Sequence, residues 1–129
     1  MNNIMNNNKI PTLKLADVKE ALRAEILVGN DKLDISVTNG ASSDLMSDLL
    51  TGPTDGAVLL TGLNNIQVIR TSVIAGVAAV VFVRGKQPNT EMINHAKEHG
   101  LPLLSTKFTM FSSCGRLFAK GLRGVEKRK

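Results

Sequence analysis

The sequence predicts an α/β fold: a single domain of βα repeating units, with a mainly parallel sheet and helices on both faces. Three observations lead there. "GAVLLTG", "VAAVVFVRG" and "LPLLST" are short apolar runs without alternation, the pattern of strands covered on both sides. Each is followed by a stretch that reads as a helix. The chain has 129 residues, 43% apolar and 21% charged, which suits one domain with a core of its own.

The elements follow in order. "MNNIMNNNK" has neither a basic n-region nor an apolar h-region, so residues 1–11 read as a flexible leader rather than a secretory signal. Leu15, Val18 and Leu22 recur at i, i+3 and i+7, which predicts a short amphipathic helix at the start of a domain spanning 12–120. "AEILVG" reads as a strand, "NDK" as a turn and "LDISVT" as a second, alternating strand. "ASSDLMSDLLTG" reads as a helix capped by Ser42 or Ser43, with Asp44 at its positive end and Gly52-Pro53 stopping it. Beyond residue 56 the βα pattern is regular. Ile66, Ile69 and Val73 share one helix face, Gly100 closes "NTEMINHAKEHG", and "KFTMFSSCGRLFAKGL" is a final helix.

In open parallel α/β sheets, ligands bind beyond the C-terminal ends of the strands. Four loops are expected there: "TNGASS" (38–43), "TGLNN" (61–65), "RGKQPN" (84–89) and "STKFT" (105–109). Glycine lets backbone amides approach a ligand, and helix N-termini offer free donors and a positive dipole. Arg84, Lys86 and Lys107 add positive charge. The candidate ligand-binding residues are Asn39, Gly40, Ser42, Ser43, Thr61, Gly62, Asn64, Asn65, Arg84, Gly85, Lys86, Thr106 and Lys107. The same residue types are also ordinary turn and cap formers.

Several chemistries find no motif. "RGKQ" lacks the upstream glycine and the Ser/Thr of a nucleotide-hydrolysing phosphate loop, and there is no G-x-G-x-x-G, C-x-x-C or H-E-x-x-H. His95 and His99 stand four apart on one helix among Glu91, Lys97 and Glu98, and read as a solvated face, so no metal site is expected. Ser42, Ser43 and Ser105 have no histidine at a motif spacing. Cys114 reads as a buried structural thiol; as the one cysteine it excludes an internal disulfide and fits a reducing, cytoplasmic setting. No cofactor and no catalytic pair is expected.

The net charge of +5 sits in the last stretch: up to Gly115 acid and base balance, and the excess comes from Arg116, Lys120, Arg123, Lys127, Arg128 and Lys129, set against Glu126. Residues 121–129 therefore read as a basic, solvated tail, with nucleic acid an unfavoured partner. Phe108, Phe111 and Phe118 fall at core-like helical spacing, which argues against a base-stacking platform. No apolar run is long enough to span a bilayer, so no membrane partner is expected.

The segment order, with "LLTG…NIQVIRT", "VVFVRGKQP" and "PLLSTKFTMF" together, resembles the DRTGG domain over roughly residues 12–120. That family is related to the N-terminal domain of HPr kinase/phosphorylase. It also occurs inside some phosphate acetyltransferases and between the CBS domains of some inorganic pyrophosphatases. The resemblance implies a parallel α/β sandwich, often self-associating, with a role in regulation, ligand sensing or scaffolding. Stand-alone copies are similar to proteins encoded near iron-hydrogenase or sensor-kinase genes in anaerobic bacteria, which suggests a protein partner of that kind. The kinase relatives carry their phosphate loop in another domain, so the resemblance implies no kinase activity. Where the family commonly carries an Asp-Arg type pair after the Thr-Gly, this chain has Leu63, Asn64 and Asn65. The turn is thus expected to be polar and uncharged, with Asn64 or Asn65 capping the helix. The expected function is a homodimeric regulatory module that senses a nucleotide or phosphorylated metabolite; a pure association module is the alternative.

Overall fold

In the computed structural model, which describes residues 12–50 and 52–125, two layers of helices sandwich a five-stranded sheet. The strands are β1 (Leu13–Lys14), β2 (Glu25–Val28), β3 (Ser36–Val37), β4 (Asn39–Ser42), β5 (Ala57–Thr61), β6 (Ala79–Phe82) and β7 (Leu103–Ser105). The helices are α1 (Leu15–Ala21), α2 (Ile66–Ala75), α3 (Thr90–Glu98) and α4 (Met110–Ala119). The main sheet runs β2-β7-β6-β5-β4. β4 to β7 pair in parallel, and β2 joins β7 antiparallel. β1 and β3 form a separate antiparallel pair.

The unalternating apolar runs explain the two layers. Successive side chains of a strand point to opposite faces. Val58, Leu60, Val81 and Leu104 pack with Leu15 and Val18 of α1, Leu22 just past its end, and Leu117 of α4. Leu59, Val80, Phe82 and Leu103 pack with Val68, Ile69, Met92 and Ala96 of α2 and α3. Each fully buried Leu, Val or Phe of these layers contributes about 1.5–3 kcal/mol against exposure. Three of these four helices begin with a side-chain cap: Asn65 on α2, Asn89 on α3 and Thr109 on α4. α2 ends on Gly76 at φ 75°, where a Cβ would run into the Asp55 carboxylate.

Four expectations give way. "TNGASS" is not a loop: Asn39–Ser42 form β4, an edge strand in register with Ala57–Leu60. Asn, Gly, Ala and Ser have weak strand preference, and pairing with β5 overrides it. The helix expected after Ser43 is only a 3-10 segment, Met46–Leu50. Ser43 spends its hydroxyl on Leu45, accepting from the amide and donating to the carbonyl, which makes a local turn rather than a helix start. The late phenylalanines are not core: Phe111 is 89% and Phe118 60% exposed. Their spacing puts them on the outer side of α4, while Leu117 and Ser113 face the sheet. Cys114 is half-buried beside that same layer rather than fully buried.

The outer side of β4 is covered from the C-terminal end. The Gly40 amide donates to the Arg123 carbonyl (2.8 Å), and the Val125 amide donates to the Gly40 carbonyl (3.2 Å). Gly124 thus bridges Gly40 in parallel. Arg123 also stacks on Phe118, 3.9 Å from the ring centroid. The leader 1–11 and the basic residues 127–129 lie outside the described residues. Among the described residues, no helix is long and apolar enough to cross a membrane.

Candidate functional site

The parallel strands bring Ser43, Gly62, Arg84 and Lys107 to one edge of the sheet, each just past the end of its strand. Asn39 and Gly40 go elsewhere. They begin β4, so they stand at the opposite edge, level with the start of β5.

The β5–α2 turn has the outline of an anion cradle but is already filled. Asp44 Oδ1 accepts from the Gly62 amide (2.8 Å) and from Thr61 Oγ1 (3.0 Å). The Leu63 amide donates to Thr61 Oγ1, and the Gln67 amide to Asn65 Oδ1. Asn65 is thus the helix cap, and Asn64 reaches across to the Gln87 carbonyl. Nor is the turn uncharged, as its own three residues suggested. Both Asp44 carboxylate oxygens lie 3.6 Å, and Arg84 Nη2 3.7 Å, from the point where a Gly62 side chain would begin. The charges beside this turn, one of each sign, come from two other loops.

Arg84 and Gly85 both have left-handed backbones, φ 56° and 72°. A side chain in that region costs roughly 1–2 kcal/mol. Ties to the β7–α4 loop hold it there: the Arg84 amide donates to the Phe108 carbonyl and the Gly85 amide to the Thr106 carbonyl, both at 2.8 Å. Thr106, only 2% exposed, donates to the Leu22 carbonyl at 2.6 Å and accepts from the Phe108 amide. Its hydroxyl is a staple between α1 and the loop, as the buried Thr61 hydroxyl is at the other turn.

Beside these loops lies a cleft of about 420 Å³, lined by Leu22, Arg23, Glu25, Gly85, Gln87, Ser105, Thr106, Lys107 and Phe108. Its size falls in the range of small-molecule sites. Arg23 and Lys107 are exposed cations on its wall, opposed by Glu25. Arg23, like Arg84, holds a left-handed backbone, φ 48°. Phe108 offers a half-buried ring, with the Arg116 guanidinium 4.3 Å from its centroid. The floor is fixed: Ser105 Oγ donates to the Lys86 carbonyl, and Gln87 Nε2 donates to Ser105 Oγ.

A second cleft, about 300 Å³, runs between Asp44, Gly62, Arg84 and the start of α4 at Thr109–Phe111. A third, about 400 Å³, lies along β4 and takes in Gly40, Ser42, Ser43, Gly52 and Gly124. Of the residues expected to bind, Gly85, Thr106 and Lys107 line the first, Gly62 and Arg84 the second, and Gly40, Ser42 and Ser43 the third. Asn39, Thr61, Asn64, Asn65 and Lys86 line none of the three.

The sequence-based selection omits Arg23, Glu25, Gln87, Phe108 and Asp44. Arg23 and Glu25 reach this edge because β2 runs antiparallel to β7, so its start lies beside the end of β7. Nothing local in "LRAEILVG" announces that direction. Gln87 stood inside a loop already singled out and was open to detection.

The family profile described as the DRTGG domain matches residues 17–118. Among solved structures, a similar one holds the CBS and DRTGG domains of the regulatory region of Clostridium perfringens pyrophosphatase, complexed with the activator diadenosine tetraphosphate. The TM-score is 0.69 at 16% sequence identity, a likeness of fold. The match covers 90% of this chain and 51% of that one, so this chain spans about half its length. Among curated proteins nothing matches.

Proposed function

Because the chain belongs to the DRTGG domain family, we propose that it is a non-catalytic regulatory module that senses a small anionic ligand, with nucleotides the favoured class. The observation that carries this is the first cleft. Two exposed cations, Arg23 and Lys107, flank a pocket that also has a half-buried aromatic ring, Phe108. Cations suit phosphate oxygens, and a ring suits a base. The regulatory region of the pyrophosphatase, whose activator is a dinucleotide, supports the ligand class by analogy. The lone Cys114 supports a cytoplasmic setting. A companion module, encoded with hydrogenases or sensor kinases, is the kind of protein such a sensor would serve.

The test is a dye-based thermal-shift titration with diadenosine tetraphosphate, ATP and AMP; the dye is needed because the chain has no Trp or Tyr. A ligand at 100 times its Kd adds about 2.7 kcal/mol. A saturable shift that Arg23→Ala/Lys107→Ala abolishes supports the site. A shift indifferent to that pair moves the site elsewhere, and a flat response to all three nucleotides rejects nucleotide sensing.

A second function is favoured by a separate observation. Phe111 and Phe118 stand exposed on α4, which suits a module that pairs with a second copy or another protein without any ligand.

A further inference from the structure

We propose a divalent transition-metal site at the C-terminal end of α3, formed by His95, Glu98 and His99, with a preference for zinc. Spacing alone reads as a solvated face; the placement of the three groups changes that. Among the described residues, these three offer one ligand atom each, all within 4.8 Å of one another. Ligand atoms around tetrahedral zinc stand about 3.3 Å apart, given bonds of about 2.0–2.2 Å. Modest rotation closes the difference, since Glu98 and His99 are exposed.

The tautomer is set in advance. His99 Nδ1 lies 3.0 Å from the His95 carbonyl, an acceptor only, so Nδ1 carries the proton and donates it. In the neutral ring this leaves the lone pair on Nε2, the usual arrangement of a zinc-ligating imidazole. The two rings already lie side by side, centroids 4.5 Å apart, and His95 Nδ1 is 3.7 Å from Glu98 Oε1. The negative end of the α3 dipole adds attraction for a cation. The opposing charges are the neighbouring Lys97 and Lys32, whose Nζ lies 3.3 Å from the point where a Gly100 side chain would begin. Two imidazoles and one carboxylate select zinc-like ions over magnesium or calcium, and leave a fourth position open to water. α3 ends where the chain turns toward the start of β7, so this site is at the opposite edge from the anion-accepting cleft.

The probe is zinc chloride, titrated calorimetrically into the full chain. The expected result is one ion per chain, with no binding of magnesium. His99→Ala should weaken zinc by at least about tenfold, the lower bound seen for loss of even a supporting group. Glu98→Gln should weaken it less. The chain has only these two histidines, so His95→Ala/His99→Ala is the decisive control. Equal binding by that double variant, or no saturable heat from the native chain, overturns the site. Unchanged affinity in Glu98→Gln overturns the three-ligand assignment. All the positions are at the surface, and equal melting temperatures without metal will show that the variants fold.

Discussion

Replacing Asp44 should both loosen the sheet edge and open its central turn. The carboxylate receives two hydrogen bonds, from Thr61 Oγ1 at 3.0 Å and from the Gly62 amide at 2.8 Å. They are not equal in consequence. Thr61 is fully buried, so Asp44→Ala strands its hydroxyl proton at a cost of roughly 1 kcal/mol, the low end for an orphaned donor. The Gly62 amide is reached by water, which makes good most of its loss and leaves about 0.5 kcal/mol. The sum, about 1.5 kcal/mol, corresponds to a fall of about 6 °C in Tm for a domain of this size. Asp44→Asn keeps an acceptor oxygen in place and should lose about half as much. Chemical denaturation of the native chain, both variants, Thr61→Val and Thr61→Val/Asp44→Ala completes the cycle. A coupling of about 0.5 kcal/mol or more between the two positions is expected, as for residues sharing a hydrogen bond. If Asp44→Ala costs no more than an ordinary surface change, within about 0.5 kcal/mol, the carboxylate does not hold the turn. The same variant frees the Gly62 amide beside Arg84, so inorganic pyrophosphate should bind Asp44→Ala more tightly than the native chain.

Phe82→Ala, at a position with no exposure between β6 and the α2–α3 layer, should cost about 3–5 kcal/mol by urea denaturation. Ser72→Ala should stabilise by about 1 kcal/mol: its buried hydroxyl has no hydrogen-bond partner and alanine is the better helix former. Calorimetric melting would check it, and a loss of stability would mean that the hydroxyl is satisfied in solution. Phe111→Ser should leave stability within about 0.5 kcal/mol, because the ring is exposed, and should weaken self-association by light scattering. A native chain that stays monomeric at high concentration rejects the pairing role.

The three βα units were legible because their signals are local. Val58–Leu60, Val80–Phe82 and Leu103-Leu104 are apolar at every position, which only a doubly covered strand tolerates. Asn65 announces the start of α2 by its own side chain. What failed was set by distant partners. "NGAS" becomes a strand only because β5 and residues 123–125 lie on either side of it. β2 reverses direction without any mark in its residues, and that reversal brings Arg23 and Glu25 to the cleft. By its position Asp44 reads as a helix-end charge, yet it fills the neighbouring turn from 18 residues away. Phe111 and Phe118 show the limit of spacing. A 3.6-residue period finds a face but does not say whether it turns inward.

The bridge between Gly40 and Gly124 bears on how this protein should be cut for study. The family match stops at residue 118, yet the strand cover is supplied by residues 123–125. A fragment trimmed to the matched region would keep the cleft but lose Leu15 and Leu122 from the α1–α4 layer, and it would bare the outer amide and carbonyl of Gly40. An uncapped sheet edge recruits another edge. Such a fragment would be prone to pair through β4 with its own copy, mimicking the pairing proposed for α4, so the two seams are separable only in a chain that retains Gly121–Val125.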